Sequence, residues 1–356
     1  MKKNILEVCE AYGGGVKRQV DYIKQYVDDS LYSLTVLVSS GRGAKIEPDC
    51  IVDDRLSMFI KKPWKFIPLV RRVHRLIEAK RIDLVHAHST VAGIFMVIYK
   101  IIYHDKVSVI FTPHAYFSEI DRGRIKTQLV IFIERFMSRF FEKIIHVSEE
   151  EQNYALNKNL VSKDKCVIIN NGVPKPMIVK KKHSGTIFIN VARCSFQKDP
   201  QLFIEIAKEV IQFIPDSEFI WVGDGPLLKE CRAQVVRDKM SGKIKFMGYS
   251  DNPYRFLAQS DIYISSSRYE GLPFSVLEAL SCGLPLILTD IIGHEELIQD
   301  NGMLLDDKRI EENLAKTIKD IVVNKDTLGE MSYSLYIQKF SIDKMISGIE
   351  KVYAYT

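Results

Sequence analysis

The chain has 356 residues, 46% hydrophobic and 27% charged, with a formal net charge of +5, which gives room for two ordinary domains with separate cores. Its composition is that of a soluble globular protein. The most apolar stretch, Ile94 to Ile102, is short and broken by Lys100, which excludes a membrane-spanning helix. The six cysteines (Cys9, Cys50, Cys166, Cys194, Cys231, Cys282) are scattered with no CxxC pair, so no structural metal or disulfide is expected and a reducing, cytoplasmic setting fits.

The N-terminus, MKKNILEVCEAYGGG, has no signal-peptide core or cleavage site and reads as a first strand, 4–9, running into a glycine loop at 13–15. A helix over 16–27 and a strand over 34–38 follow. After a variable basic stretch come a helix near 65–80, a strand over 83–86, a helix over 90–102 and a strand over 107–112. Then come a helix over 124–142, a strand over 143–147, a helix over 149–157 and a strand over 166–169. The segment 148–153, SEEEQN, sets a serine cap before acids in the first helical turn. Residues 175–185 are basic, contain Pro176 and lack apolar periodicity, so they are the expected linker.

The pattern then restarts with a strand over 186–191 and a helix over 199–213, with Phe203, Ile206, Val210 and Phe213 on one face. Strands over 218–222, 243–247, 262–265 and 286–288 alternate with helices over 226–239, 252–259, a segment beginning near Pro273, and 294–298. Helices over 308–324, 327–339 and 342–354 close the chain. This alternation predicts an α/β protein of two parallel-sheet domains, 1–172 and 173–340. Charge is uneven: residues 1–172 hold 27 Lys and Arg against 20 Asp and Glu, and residues 173–356 hold 23 against 25. An anionic partner for the first half is implied.

Within YEGLPFSVLEALSCGLPLILTD (269–290), Glu270 and Glu278 are separated by seven residues, which include a Gly-Leu-Pro turn. A helix starting there offers unpaired N–H groups to a diphosphate. Glu278, more than a turn inside, is placed for a neutral hydroxylated group such as a ribose; Glu270, at the mouth, is placed for a sugar. Full helical spacing would separate the two backbones by about 12 Å, more than the roughly 5–9.5 Å of a hydrolase pair, which weakens a glycosidase reading. Two solvated acids on an amphipathic helix are the plain alternative.

VARCSFQKDP (191–200) sets Arg193 after a strand and Lys198 before a helix, which suits a phosphate pair at the carboxyl end of an open sheet; surface solvation is the alternative. Gly13-Gly14-Gly15 allows close backbone approach to a ligand, or is simply a flexible turn. VGDGP (222–226) is a tight strand-to-helix turn. HAHST (86–90) offers His86 and His88, for which no third zinc ligand is signalled nearby, and TPHAYFS (112–118) places His114 after a strand.

Together these segments resemble the retaining glycosyltransferases of family 4, in family order and over nearly the whole chain. The signature is E-x7-E at Glu270 and Glu278, with R-x4-K at Arg193 and Lys198. The resemblance implies a GT-B fold of two Rossmann-like, doubly wound domains facing an interdomain cleft. The N-terminal domain would bind acceptor and the C-terminal domain a nucleoside diphosphate sugar, UDP-sugar favoured. The helix at 341–356 would pack back on the first domain.

On this likeness Arg193 and Lys198 neutralise the departing diphosphate without a metal. Gly14 and Gly15 border the donor phosphates, and Gly223 lines the nucleotide cleft. Met247 and Gly248, in KFMGYSDNPY (245–254), border the base. Leu272, Phe274 and Ser275 form the diphosphate-binding helix start, and Glu278 holds the ribose. His114 and Glu270 hold the donor sugar as catalytically important groups. Two positions depart from the family. Pro273 lacks the N–H of the usual glycine, which leaves Leu272 and Phe274 as backbone donors. Ile292 replaces the first glycine of the D-x-G-G-x-x-E-L element.

HAHST and TPHAYFS look like segments of bacterial capsule and exopolysaccharide transferases, which implies a lipid-linked glycan acceptor near His86 and His88. From Arg55 to Arg81 stand nine Lys and Arg and one acid, Glu78. With Lys61, Lys62, Trp64 and Lys65 this stretch is open to two readings: a helix resting on the anionic inner face of the plasma membrane, or one packing its apolar stripe on the sheet. The run 122–143 has the same character. Nucleic acid is not expected, since no binding motif accompanies the charge. A sugar-nucleotide 2-epimerase, or a non-catalytic membrane-associated partner of another transferase, is the rival function.

Overall fold

Runs such as Val36–Val38 and Val109–Phe111 are apolar at successive positions rather than alternate ones, which suits strands covered on both faces of a parallel sheet. A computed structural model describes residues 2–41, 45–58, 64, 66–104, 106–119, 123–177, 183–305 and 314–356. The chain divides into two compact units, Met1–Asn171 with Lys344–Thr356, and Gly172–Asp343.

In the first unit the elements are β1 (Lys3–Cys9), α1 (Gly14–Tyr26), β2 (Tyr32–Val38), β3 (Ile51–Val52), α2 (Arg55–Met58), α3 (Phe66–Lys80), β4 (Leu84–His88), α4 (Ser89–Tyr103), β5 (Ser108–Thr112), α5 (Arg124–Met137), β6 (Lys143–His146), α6 (Glu149–Asn157) and β7 (Cys166–Ile168). The strands form one parallel sheet in the order β3-β2-β1-β4-β5-β6-β7. Strand order reverses between β1 and β4, and the crevice beyond their carboxyl ends is the expected ligand position of such a sheet.

The apolar stripe of α3 (Phe66, Leu69, Val70, Val73, Ile77) is buried in the sheet's core, so of the two readings of this basic helix the packed one holds for its stripe. Trp64 stays 70% exposed, and Lys61, Lys62 and Lys65 lie outside the described residues. The helix expected over 124–142 ends at Met137, where a 3-10 turn, Ser138–Phe140, leads into β6. The strand expected over 83–86 begins at Leu84 and runs on to His88, so both histidines lie on the sheet itself.

The chain's last helix, Ile342–Tyr355, belongs to this unit from Lys344 onward. Met345, Ile346, Ile349, Val352 and Tyr353 are buried. Lys3 Nζ donates to the Tyr353 carbonyl at 2.8 Å, and the Tyr32 hydroxyl to the Glu350 carbonyl at 3.0 Å.

In the second unit the elements are β8 (Thr186–Val191), α7 (Pro200–Phe213), β9 (Ser217–Val222), α8 (Leu228–Arg237), β10 (Ile244–Gly248), α9 (Tyr254–Leu257), β11 (Ile262–Ser265), α10 (Phe274–Ser281), β12 (Leu286–Thr289), β13 (Gly302–Leu305), α11 (Leu314–Val323) and α12 (Lys325–Leu335). The strands form a second parallel sheet, β10-β9-β8-β11-β12-β13, whose order reverses between β8 and β11. Aromatic rings fill its core: Phe188 stacks on Phe219 at 4.6 Å, and Phe203 meets Trp221 edge-on at 5.2 Å. Phe203, Ile206 and Val210 of α7 are buried as their spacing predicts, but Phe213, at the helix end, is half exposed. The helix expected over 294–298 is a single 3-10 turn, Glu295–Leu297.

Candidate functional site

Both sheets place buried polar groups and some left-handed residues (Ser89, His114, Ala115, Asp199) at the carboxyl ends of strands near the order reversal. In the second unit three loops meet there. After β8 the chain makes a 3-10 turn, Phe196–Lys198. Asp199 takes a left-handed φ of +46° and caps α7 by accepting the Leu202 N–H at 3.3 Å. The loop after β11 is laced to this turn. Arg268 N–H donates to the Gln197 carbonyl at 2.8 Å, and the Gln197 amide to the Tyr269 carbonyl at 3.0 Å. The Ser266 hydroxyl donates to the Lys198 carbonyl at 2.8 Å. Arg268 pairs with Asp199 at 2.5 Å and lies over the Phe196 ring at 4.6 Å.

The same lacing brings Lys198 into an ion pair with Glu270. Glu270 is 8% exposed, so the pair sits where water screens it little. Arg193 is exposed and makes no ion pair among the described residues, so its guanidinium is available to an anion.

Glu278 lies on α10 and is buried. The helix starts one residue later than expected: Pro273 is its cap, in extended conformation, and accepts the N–H groups of Val276 and Leu277. Leu272 and Phe274 are buried. The Ser275 hydroxyl accepts from Tyr263 at 3.0 Å, which fixes the first turn to the sheet.

The glycine turn after β9 holds the Arg193 loop in place. Gly223 has φ +144°, and a Cβ there would stand 1.9 Å from the Ala192 carbonyl oxygen; at Gly225 it would stand 2.2 Å from that of Cys194. Only glycine lets these backbones meet. Met247 is 46% exposed, and Gly248 takes φ +81° while its carbonyl accepts the Gly223 N–H at 2.8 Å.

The loop after β12 contributes His294, which sequence reasoning did not single out. It is fully buried and donates from Nδ1 to the Thr289 carbonyl at 2.8 Å. Burial pushes its pKa down to about 4. Beside it Gly293, kept where Ile292 replaced its neighbour, packs so closely that a Cβ would lie 1.6 Å from the Gly271 carbonyl. The loop therefore presses its backbone against the one that carries Glu270.

In the first unit Gly13 caps α1, and Gly14 and Gly15 open it, both exposed. Gly14 has φ +56° and open space where a Cβ would be, so glycine serves the backbone turn there rather than a tight fit. His86 and His88 on β4 sit beside Glu7 on β1, with which His86 is in register. Glu7 supplies the third potential metal ligand that the local sequence did not signal, the three groups' ligand atoms lying within 4.8 Å of one another.

Each of these groups already has a hydrogen-bond partner. His88 Nε2 is 2.6 Å from Glu7 Oε2, His86 Nδ1 is 2.9 Å from the Tyr353 hydroxyl, and His86 Nε2 is 2.8 Å from Thr112 Oγ1. The Tyr353 hydroxyl donates to Glu7 Oε1. Burial opposes the charge on Glu7, but attraction and hydrogen bonds from His86 and His88 overcome it and hold the carboxyl far below the usual range.

His114 Nε2 lies 3.1 Å from His88 Nδ1, and the two rings stack at 5.4 Å. His114 and Ala115 have φ of +62° and +104°, a conformation that non-glycine residues keep only when their surroundings enforce it. The enforcement comes from glutamate carboxyl groups. Glu151 accepts the N–H groups of Ala115 (2.7 Å) and Val147 (2.8 Å), Glu119 that of Tyr116 (3.1 Å) and Glu134 that of Phe117 (2.8 Å). Ser148 caps α6 by accepting the Glu151 N–H at 3.0 Å, as the SEEEQN segment predicts.

Residues 13–175 match the family model described as Glycosyltransferase Family 4, and residues 185–324 the model described as Glycosyl transferases group 1. The chain is 26% identical over 332 residues to the Escherichia coli UDP-Gal:alpha-D-GlcNAc-diphosphoundecaprenol alpha-1,3-galactosyltransferase, covering 86% of this chain and 85% of that one. It is 26% identical over 293 residues to the Escherichia coli O-antigen biosynthesis glycosyltransferase WbnH, covering 82% of each. Among solved structures it resembles Anabaena Alr3699/HepE in complex with UDP-glucose, with a TM-score of 0.78 at 18% identity over 99% of this chain and 100% of that one. With a glycosyltransferase family model on each half and two parallel sheets that match a solved structure along its whole length, the protein is a glycosyltransferase of the GT-B fold, composed of a family 4 domain followed by a group 1 domain.

Proposed function

We propose that the protein transfers a sugar, with retention of anomeric configuration, from a UDP-sugar to a hydroxyl of a lipid-diphosphate-linked glycan in the synthesis of a cell-surface polysaccharide. The observation that carries this reading is the Lys198–Glu270 pair, held by three laced loops at the order reversal of the second sheet. Lys198, Arg193 and the amide groups at the start of α10 would bind the diphosphate. Glu278 would take the ribose, Met247 and Gly248 would border the base, and Glu270 and His114 would hold the sugar.

Since Glu270 is engaged by Lys198, it acts as a hydrogen-bond partner rather than a nucleophile. The bond from C1 to the phosphate oxygen breaks while a bond from C1 to the acceptor oxygen forms on the same face. The acceptor's proton passes to the departing diphosphate, whose charge the two cations carry. UDP and a diphospho-lipid acceptor are chosen by likeness to the Escherichia coli UDP-Gal:alpha-D-GlcNAc-diphosphoundecaprenol galactosyltransferase and to the Anabaena protein in complex with UDP-glucose.

The test incubates labelled UDP-sugars with a membrane lipid extract. Label is expected in a lipid-linked product, with UDP binding seen in calorimetry and weakened in Glu278→Ala. Epimer formation, or binding without turnover, would refute transfer.

The anionic membrane surface is assigned to α5. Ile125, Leu129, Phe132 and Phe136 form one stripe along this helix, exposed by 86%, 60%, 66% and 40%, and Arg124 and Lys126 flank its start. Basic residues beside an apolar helical face fit an anionic bilayer surface. Among the described residues no helix is long and apolar enough to cross a membrane. The double variant Leu129→Glu, Phe132→Glu should keep its melting temperature and lose most sedimentation with anionic vesicles; wild-type sedimentation would remove α5 from the membrane reading.

A further inference from the structure

We propose that Glu7 and His88 act as positioning residues that lock His114 in its Nε2–H tautomer, so that His114 Nδ1 faces the substrate as a hydrogen-bond acceptor. The sugar-binding role of His114 rests on the reading above; the lock itself rests on the hydrogen-bond geometry.

Proton positions follow link by link. Glu7 is fully buried and accepts at both oxygens, from the Tyr353 hydroxyl at Oε1 and from His88 at Oε2. A carboxylate has no proton to give, so His88 carries its own on Nε2. With that single proton on Nε2, the neutral His88 ring presents Nδ1 as a bare acceptor. His114 Nε2 stands 3.1 Å from that nitrogen, so the proton between the two rings belongs to His114. A neutral imidazole has one N–H, so Nδ1 of His114 is left with a lone pair.

Two further observations direct that lone pair toward a ligand. His114 is partly exposed, and its Nδ1 meets no partner among the described residues. The loop that carries it is held in left-handed backbone by the Glu151 carboxyl group, so structural strain fixes one ring's orientation. The remaining branch is satisfied in the same sense: once Tyr353 donates to Glu7, its oxygen accepts from His86 Nδ1 at 2.9 Å. One buried carboxylate thus orders Tyr353, His88 and, through His88, His114.

Nitrogen-15 NMR of histidine-labelled full-length protein reads the tautomers directly. The wild-type chain should show single Nε2–H forms at His88 and His114. In Glu7→Gln the amide oxygen stays toward Tyr353 and the NH2 turns to His88 Nε2, so His88 shifts its proton to Nδ1 and His114 becomes Nδ1–H. Sugar transfer by Glu7→Gln should drop about 10- to 100-fold in kcat, a donor then facing a substrate hydroxyl, with UDP affinity within about twofold of wild type. Tyr353→Phe removes the His86 branch but keeps Glu7 on His88, so its His114 should remain Nε2–H.

An Nδ1–H form of His114 in the wild-type protein, which needs no variant to detect, would overturn the lock. So would an unchanged tautomer in folded Glu7→Gln. A switched tautomer with wild-type kcat would overturn the use of Nδ1 on substrate. Failure of the wild-type protein to transfer any sugar would instead strike the transferase reading, and the tautomers would still be read by NMR.

Discussion

Lys198→Ala is expected to lower sugar transfer by about 100- to 1000-fold, the usual cost of removing one preorganised group that stabilises developing charge. The substitution removes the cation and little else. The Lys198 carbonyl stays bound to Ser266, its N–H to the Ser195 carbonyl, and Asp199 still caps α7. Glu270, however, loses its ion pair at a site only 8% exposed to water, and an unpaired buried carboxylate destabilises the fold. A double variant, Lys198→Ala with Glu270→Gln, separates these effects. It should recover the melting temperature that the single variant loses, while turnover stays low. Steady-state kinetics with thermal melts make the check. Turnover of Lys198→Ala near the wild-type rate would remove Lys198 from the diphosphate site.

A second large effect is expected on the stability of the first unit above neutral pH. Glu119 is pushed up to about 8 and Glu151 to about 7, chiefly by burial, with repulsion from Glu151 and Glu134 adding to the shift at Glu119. Glu134 is raised for the same first reason. Folded pKa values above the unfolded value of 4.5 mean that the folded unit binds more protons than the unfolded chain. This stability is complete below the unfolded pKa and is lost as pH rises through 7 and 8. The buried histidines act in the opposite direction. His88 and His146, held near 4 by burial, and His114 contribute stability that is complete above 6.5 and is lost as pH falls toward 4.

The two sets oppose each other between 4.5 and 6.5, and the carboxylates act alone above that range. The melting temperature should therefore change little from pH 5 to 6.5 and fall from 6.5 to 8, by the equivalent of on the order of 2–3 kcal/mol. Glu119→Gln keeps an acceptor for the Tyr116 N–H and removes the charge, so it should melt higher than wild type at pH 8. Melts at the three pH values decide this. A melting temperature that climbs to pH 8, or a Glu119→Gln curve that overlays wild type, would refute it.

Local patterns in the chain account for most of the strands and helices. The stripe of α7 and the continuous apolar runs of β2, β5 and β11 can be read from a few neighbouring residues. β13 is not legible because its four residues, Gly-Met-Leu-Leu, begin on a glycine and form a strand only by pairing with β12. The sequence pattern extends α5 five residues too far because its apolar content continues into the 3-10 turn at Ser138–Phe140.

The second unit's site was legible because Arg193, Lys198, Glu270 and Glu278 belong to two short segments with fixed spacings. The network around His114 was not. Glu7 meets His88 across 81 residues of sequence and Tyr353 across 346. No window contains such partners, although an acid inside the apolar strand KNILEVC is a signal that a buried charge needs one. His294 was hidden for a similar reason: its closeness to Glu270 depends on the backbone contact between Gly293 and Gly271.

The bond from Tyr353 to Glu7 also orders events during synthesis. A ribosome releases residues 1–171 long before residue 353 exists, so a nascent first unit must wait with a buried glutamate short of one donor and with an apolar groove where Met345, Ile349 and Val352 will lie. All of residues 172–343 emerge in that interval and can fold as an insertion within an unfinished neighbour. Maturation of the histidine network is thus timed by translation of the last few codons of this segment, and shortening the chain there would leave the first-made half permanently immature.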